Sequence, residues 1–170
     1  IMNLFLRFYD FKEGEILIDD IPILQYSKEV LRDKIGLVLQ DPFLFHGTVA
    51  SNIRMYQDIT DEEVKQASEF VDAHHFIEQL PQGYENKVSE KGSTFSSGER
   101  QLIAFARTIA ANPKILILDE ATANIDSQTE EVIQTSLKKM RNGRTTLAIA
   151  HRLSTIQDAD LILVLVDGDI

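Results

Sequence analysis

Apolar residues occur along this chain in short runs that are separated by polar segments. Residues 115–118 are four aliphatic residues, ILIL, which lead directly into Asp119 and Glu120. An apolar run without alternation is typical of a strand buried on both faces, as in a parallel sheet covered by helices. The sequence therefore predicts a buried strand at 114–119. Further strands are predicted at 14–20, 34–41, 144–150 and 160–168.

Helix-start signals and the helical spacing of apolar residues predict the segments between these strands. Thr60 with Glu63 and Ser127 with Glu130 fit the capping box, in which each residue's side chain bonds the backbone amide of the other. Pro113 ends the longest predicted helix, because proline lacks the backbone N–H that a continuing helix needs. Helices are predicted at 1–9, 28–34, 48–55 and 60–70, in a stretch ending at residue 81, from the loop at 92–101 to about 112, and from 127 to about 140.

This order of elements predicts the fold class. From residue 84 onward strands alternate with helices, which indicates an α/β fold with a mainly parallel sheet and helices on both faces. The segment after the second predicted strand is mostly helical, so we divide the chain into core pieces at 1–47 and 112–170 and a helical subdomain at 48–111. Both ends lie inside patterned segments, and we expect the chain to be part of a longer protein.

Composition limits the classes of function. The chain has 170 residues, 44% of them hydrophobic and 26% charged, which fits one globular domain or most of one. A net charge of -10 argues against a nucleic-acid binder that relies on neutralising phosphates. The chain has no Cys, which excludes disulfides and thiolate metal sites. No apolar run reaches the ~20 residues that a membrane-spanning helix needs.

Polar side chains follow three of the predicted strands: Gln40, the pair Asp119 and Glu120, and His151. Ligands of open α/β sheets bind at the carboxyl ends of the strands. Two adjacent carboxylates repel each other, so a cation or a proton-accepting role is expected there. Asp119 is a candidate ligand of hydrated Mg²⁺, and Glu120 is a candidate base for a water that attacks a phosphate. His151 is a candidate contact to the same phosphate.

The loop FSSG at 95–98 precedes the longest predicted helix. Its backbone amides and the hydroxyls of Ser96 and Ser97 would suit anionic oxygens at a helix N-terminus. Ser96 could also act only as the helix cap, and capping and phosphate binding use the same geometry. Both roles therefore stay open for Ser96. The simpler alternatives elsewhere are a surface glutamine at Gln40 and a structural histidine at His151.

Together these motifs resemble the nucleotide-binding domain of an ATP-binding cassette (ABC) transporter over nearly the whole chain. The Q-loop is matched by VLQDPFLF, the signature motif and its helix by TFSSGERQLIAFARTIAANP, and Walker B with the catalytic Glu by ILILDEAT. The D-loop is matched by ANID, with Asp126, and the H-loop by AIAHRLST. FLFHGTVASNI and VSEKGS, with Glu90 in the acidic place, resemble the exporter branch, such as bacterial multidrug or lipid exporters.

The resemblance implies a P-loop NTPase-like fold and an ATPase that powers export. Two such domains would enclose two ATP molecules with Mg²⁺, head to tail, and would contact the coupling helices of a transmembrane domain at the cytoplasmic face of the membrane. It implies catalytic roles for Glu120, His151 and Gln40, and Mg²⁺ contacts for Asp119 and Gln40. The residues implied in binding the partner's nucleotide or in crossing the interface are Ser96, Ser97, Gly98, Glu99 and Asp126.

This sequence departs from the family pattern in two ways. No stretch matches the Walker A pattern GxxxxGK[ST], so that loop is expected upstream, and a soluble polypeptide limited to these residues is expected to bind Mg-ATP poorly and to be inactive. The usual signature LSGGQ is FSSGE here, with Ser97 in place of a glycine and Glu99 in place of glutamine. Ser97 adds bulk and Glu99 adds negative charge near a polyanion. We therefore favour a heterodimer over a homodimer.

Two other functions fit parts of the sequence. A soluble ABC ATPase of the repair or translation type would share most of the motifs. The two exporter-like segments and the sequence pI of about 4.8 count against it. A non-catalytic binding module would fit the missing Walker A. Membrane spans in the upstream sequence would identify an exporter, and an ATP titration would identify a non-catalytic module.

Overall fold

The computed structural model describes residues 1–89, 92, 94–119, 127–149 and 156–166. Within these ranges the α-helices are α1 (Met2–Phe5), α2 (Lys28–Asp33), α3 (Val49–Arg54), α4 (Asp61–Phe70), α5 (His74–Glu78), α6 (Ser97–Ala110) and α7 (Ser127–Arg141). The strands are β1 (Leu17–Ile18), β2 (Ile21–Pro22), β3 (Ile35–Val38), β4 (Gly47–Thr48), β5 (Lys87–Val88), β6 (Ile115–Asp119) and β7 (Thr145–Ile149). Short 3₁₀ turns lie at Ile23–Gln25 and Gly83–Glu85.

A parallel three-stranded sheet, in the order β3-β6-β7, carries the core. Side chains alternate across β6, because successive residues of a strand face opposite sides of the sheet. Leu116 and Leu118 join a large core cluster with α3, α4, α6 and α7. Ile117 joins a second cluster with α1 and α2 on the other face. The prediction of a mainly parallel sheet with helices on both faces is confirmed.

Helix α6 is the centre of the larger cluster. Its residues Leu102, Ile103 and Phe105 are almost completely buried, and they lie in one cluster with Ile53 of α3 and Val64 of α4. This cluster is continuous with the sheet residues. The separation of a helical subdomain at 48–111 from the core pieces stays a prediction.

Gly36 in β3 permits α6 to pack directly on the sheet. A Cβ atom at this position would lie 2.6 Å from Cγ2 of Thr108 and 2.8 Å from Cγ of Pro113. The Thr108 hydroxyl donates to the carbonyl of Ala104 at 2.9 Å and lies 3.4 Å from that of Leu37. The C-terminal half of α6 is thereby fixed against β3.

Several predicted boundaries are wrong. The helix predicted at 1–9 is limited to α1, and Arg7 follows it with φ of 50°. The strand predicted at 14–20 is the short β1, which turns into β2 through Asp19 and Asp20, both with positive φ. Positive φ at both central residues is the turn geometry that follows the twist of a two-stranded hairpin.

The strand predicted at 160–168 is not formed in its described part. Residues 161–165 have no regular structure, and Val166 forms only a single-residue bridge. Leu161 and Val164 are 73% and 68% exposed, so no packed face supports a strand here. The apolar run alone predicted burial, whereas a strand also needs a paired backbone and a covered face.

Candidate functional site

Two predicted site residues lie at one edge of the sheet. In the parallel register Val38 is opposite Leu118, and Asp119 is opposite Ile149, so the three strands end together. Asp119 is the last residue of β6 and is partly exposed. Gln40 comes two residues after β3 and is exposed. The edge therefore presents a carboxylate and a side-chain amide from neighbouring strands.

Three other predicted site residues, Glu120, Asp126 and His151, lie outside the described residues, as does Glu90. Along the chain, Glu120 follows β6 directly and His151 comes two residues after β7. Their assigned roles stay predictions.

The oxygen donors at this edge suit a hard cation that takes only a few of its ligands from the protein. In the described part of the chain, no three His, Cys, Asp or Glu side chains are grouped to hold a metal ion. Mg²⁺ at phosphate sites is usually bound by one or two carboxylates together with phosphate oxygens and waters. Asp119 and Gln40 supply oxygen atoms of the required kind at an open strand end, so they fit this mode of binding.

The N-terminus of α6 contains the signature residues. Ser96 is the N-cap, and its hydroxyl accepts a hydrogen bond from the Glu99 amide at 3.2 Å. In return, the Glu99 carboxylate accepts one from the Ser96 amide at 2.8 Å. The capping role of Ser96 is therefore confirmed, and Glu99 completes the box. The amides of Ser97 and Gly98 belong to the first turn, whose N–H groups have no partner within a helix.

Contacts with the sheet indicate the direction of α6. Thr108, near its C-terminus, lies beside the carbonyl of Leu37. Gln101, one turn from its N-terminus, donates to the carbonyl of Leu39 at 3.3 Å. Since Leu39 is nearer the carboxyl end of β3, the first turn of α6 points toward the edge that presents Gln40.

Arg107, in the last turn of α6, fixes the segment that follows Gln40. Its Nε donates to the carbonyl of Asn52 at 2.7 Å, and its NH1 donates to the carbonyl of Phe43 at 3.0 Å. Its NH2 donates to Oδ1 of Asn52 at 3.0 Å. Burial lowers the pKa of Arg107 to about 10, so the guanidinium stays charged at neutral pH.

Asn52 extends this network to the backbone of Phe45. Its Oδ1 accepts from the Phe45 amide at 2.8 Å, and its Nδ2 donates to the Phe45 carbonyl at 2.8 Å. Asn52 is 1% exposed. Sequence reasoning missed both Arg107 and Asn52. The available signal was an arginine within the apolar part of a helix, LIAFARTIAA, because a buried cation requires hydrogen-bond partners.

Phe43 and Phe45 form an aromatic patch next to this network. Their rings meet edge to face with centroids 4.9 Å apart, and they are 42% and 44% exposed. The Arg107 guanidinium lies 5.7 Å from the Phe45 ring centre. Almost half of each side chain therefore faces outward.

Comparison with known proteins identifies close relatives. The ABC transporter family matches residues 1–123. The putative ABC transporter ATP-binding protein exp8 of Streptococcus pneumoniae is 64% identical over 170 residues, which are 100% of this chain and 29% of that protein. The probable multidrug resistance ABC transporter ATP-binding/permease protein YheH of Bacillus subtilis is 54% identical over 171 residues, covering 100% of this chain and 25% of that protein.

The solved structures give the same picture. The structure of a bacterial Atm1-family ABC exporter with ATP bound matches with a TM-score of 0.89 at 45% sequence identity. The match covers 98% of this chain and 29% of that chain. This chain thus spans less than a third of the length of these relatives. Among its described residues, no helix has the length and apolar character to cross a membrane.

Proposed function

This chain belongs to the ABC transporter family, and we propose that it is the ATP-binding and ATP-hydrolysing part of an exporter. One observation carries the proposal: 98% of the chain matches the structure of a bacterial ABC exporter with a TM-score of 0.89. The placement of Gln40 and Asp119 at the carboxyl edge of a parallel sheet agrees with it. The test is Mg-ATP hydrolysis by the full-length protein in a lipid bilayer. No hydrolysis above background would contradict the proposal.

The residues at the strand ends divide the chemistry between them. Asp119 and Gln40 would hold Mg²⁺, which offsets phosphate charge when it is bound. Glu120 would accept a proton from the attacking water. Gln40 would orient that water, and His151 would hold the γ-phosphate. The open carboxylate of Asp119 and its direct junction with Glu120 support this division.

We expect Asp119→Asn in the full-length protein to weaken the Mg²⁺ dependence of hydrolysis. The change removes one negative charge from a metal ligand, and a loss of about 1.4 kcal/mol in metal binding raises the Mg²⁺ requirement by about tenfold. The measurement is the ATPase rate as a function of Mg²⁺ concentration. Asp33→Asn, which removes a carboxylate exposed at the end of α2, is the matched control. An unchanged Mg²⁺ curve for Asp119→Asn would remove Asp119 from the metal site.

The first turn of α6 would act on the nucleotide of a second ABC domain. Ser96, Ser97, Gly98 and Glu99 lie in or next to this turn, where the amides and the helix dipole favour anionic oxygens. Asp126 would touch the partner across the interface. The matched exporter structure has ATP bound, which supports a nucleotide contact for this domain type.

The aromatic patch of Phe43 and Phe45 would meet the coupling helices of a transmembrane domain at the cytoplasmic face of the membrane. The backbone of Phe43 is fixed by Arg107, and the backbone of Phe45 is fixed by Asn52. Neighbouring exposed apolar side chains are common at protein interfaces. The YheH relative is an ATP-binding/permease protein, which supports a membrane partner for this chain.

We propose further that the second ABC domain is a different chain. The Glu99 carboxylate bonds the Ser96 amide, so an anion at this helix start competes with a negative charge of the same chain. Ser97 adds a side chain where the usual signature has glycine. The partner's ATP would then be held with little turnover. The ATP on this chain, served by Glu120, would be hydrolysed with the help of a partner signature closer to LSGGQ.

The heterodimer predicts unequal sites and a dependence on the partner. We expect the full-length protein alone to hydrolyse ATP slowly, and coexpression with the product of an adjacent exporter gene to raise the rate. Nucleotide trapping measures how many sites turn over. Full activity of this protein alone, with two equivalent sites, would establish a homodimer instead.

A further inference from the structure

The start of α6 and the start of α7 approach each other unusually closely at Gly98. A Cβ atom at Gly98 would lie 2.5 Å from Oγ1, 2.7 Å from Cβ and 3.1 Å from Cγ2 of Thr129. Gly98 is buried. Because the Cβ of Thr129 is attached to its backbone, no side-chain rotation makes room for another carbon. The two helices can keep this spacing only with glycine at residue 98.

This contact joins two segments that would both serve the dimer interface. On one side, the first turn of α6 carries the Ser97 and Gly98 amides. On the other, α7 begins one residue after Asp126 in the chain. The far end of α6 is fixed separately, by Thr108 packing on Gly36 and by the hydrogen bonds of Arg107. Thr129 is therefore the close neighbour at the end of α6 that would face the nucleotide.

From this geometry we infer that Thr129 is a positioning residue for the signature turn. Its side chain occupies the volume that a Cβ of Gly98 would take, and it thereby sets the distance between the first turns of α6 and α7. That distance determines where the Ser97 and Gly98 amides point. The inference rests on the proposed function, because the amides are aimed at a nucleotide held by the partner domain.

A second reason for glycine at residue 98 must be separated from this one. A glycine also lets the backbone approach a phosphate closely, and a Cβ at residue 98 would harm that contact whatever residue 129 is. Removing the side chain of Thr129 distinguishes the two reasons. It relieves the contact with α7 and leaves the surface toward the nucleotide unchanged.

The test compares Gly98→Ala, Thr129→Gly and the double variant in the full-length protein. We expect Gly98→Ala to weaken the retention of ATP at the signature turn by about 10- to 100-fold, the scale of losing one hydrogen bond to a charged group, measured as the ATP concentration that half-saturates nucleotide trapping. Thr129→Gly alone should weaken this retention by less than Gly98→Ala, because it removes the side chain that sets the helix spacing but forces no displacement of the first turn. The double variant should return to within about threefold of Thr129→Gly.

The control for added flexibility in α7 is Thr135→Gly, at an exposed position of the same helix. Combined with Gly98→Ala it should give no rescue. If the double variant with Thr129→Gly retains ATP as poorly as Gly98→Ala, the inference is overturned, and the close approach to phosphate explains the glycine. Rescue by Thr135→Gly would also overturn it.

Hydrogen exchange of the amides at 96–99, without ATP, provides a readout that does not depend on activity. Gly98→Ala should speed this exchange, and Thr129→Gly should restore it. If the parent hydrolyses no ATP, the proposed function fails, while the exchange result still decides whether Thr129 positions the turn. If Gly98→Ala yields no folded protein, Thr129→Leu adds the bulk from the α7 side. It should weaken the retention of ATP and speed exchange at 96–99, and unchanged behaviour would overturn the inference.

Discussion

Glu120→Gln in the full-length protein is expected to leave ATP binding intact and to lower ATP turnover by about 10² or more, the usual scale for the loss of a general base. The substitution keeps the size and shape of the side chain and removes the oxygen that accepts the proton. Asp119, the preceding residue, ends β6 with a partly exposed carboxylate, which we assign to the metal. The adjacent carboxylate is then the one available to activate water.

The measurement separates binding from chemistry. Nucleotide affinity and the rate of phosphate release are compared for the parent, Glu120→Gln and Glu131→Gln. Glu131 is an exposed residue of α7, so its replacement makes the same change of charge away from the proposed site and should leave the rate unchanged. Near-normal hydrolysis by Glu120→Gln would show that another group is the base.

The parallel sheet could be predicted because β6 is an uninterrupted run of aliphatic residues, which indicates burial on both faces. Leu116 and Leu118 face one layer of helices, and Ile117 faces the other, so no polar position interrupts the run. The edge that presents Gln40 and Asp119 followed from the rule for parallel strands. Both predictions depend on local sequence and on one general rule of topology.

Capping signals in the sequence also predicted helix starts, although one complete capping box was not recognised. The box of Thr60 and Glu63 was predicted, and both of its hydrogen bonds are present. Ser96 was recognised as a cap, but Glu99 was interpreted only as a charge near a phosphate. The spacing S-x-x-E is the same signal, and the carboxylate is in fact used within its own helix start.

Contacts between distant parts of the chain could not be predicted from the pattern. Arg107 bonds residues 55 and 64 positions away, and Gly98 meets Thr129 across two helices. Periodicity assigns residues to the faces of single elements, but it does not tell which elements become neighbours. The strand prediction from the apolar run at 161–166 was wrong for the same reason, since the pattern does not show whether another element covers the run.

Arg107→Met is expected to destabilise the junction between α3, α6 and the segment after Gln40 by about 3 kcal/mol, since hydrogen bonds to charged groups contribute about 1.5–3 kcal/mol each and burial offsets part of that gain. Methionine keeps most of the aliphatic packing but donates no hydrogen bond. The carbonyl oxygens of Asn52 and Phe43 lose the donors that Arg107 supplies. The loss should appear as local opening rather than only as global unfolding.

Native-state hydrogen exchange of the amides at 43–54 in the full-length protein measures this local opening. The matched control is Arg32→Met: Arg32 also donates to backbone carbonyls, those of Leu6 and Arg7, but it is exposed. Water replaces its hydrogen bonds, so its loss should cost at most about 1 kcal/mol.

The pH dependence distinguishes the role of Arg107 from that of a titrating switch. Burial lowers its pKa to about 10 in the folded protein, so unfolding favours proton uptake only near and above that pH. Between about pH 6 and 8 the side chain is protonated in both states, and the difference in stability between the parent and Arg107→Met should be constant.

Equal exchange at 43–54 in the parent and the variant would show that Asn52 holds the segment without Arg107. Because Arg107 is buried among carbonyl oxygens, we expect exchange at 43–54 to be faster in Arg107→Met than in the parent.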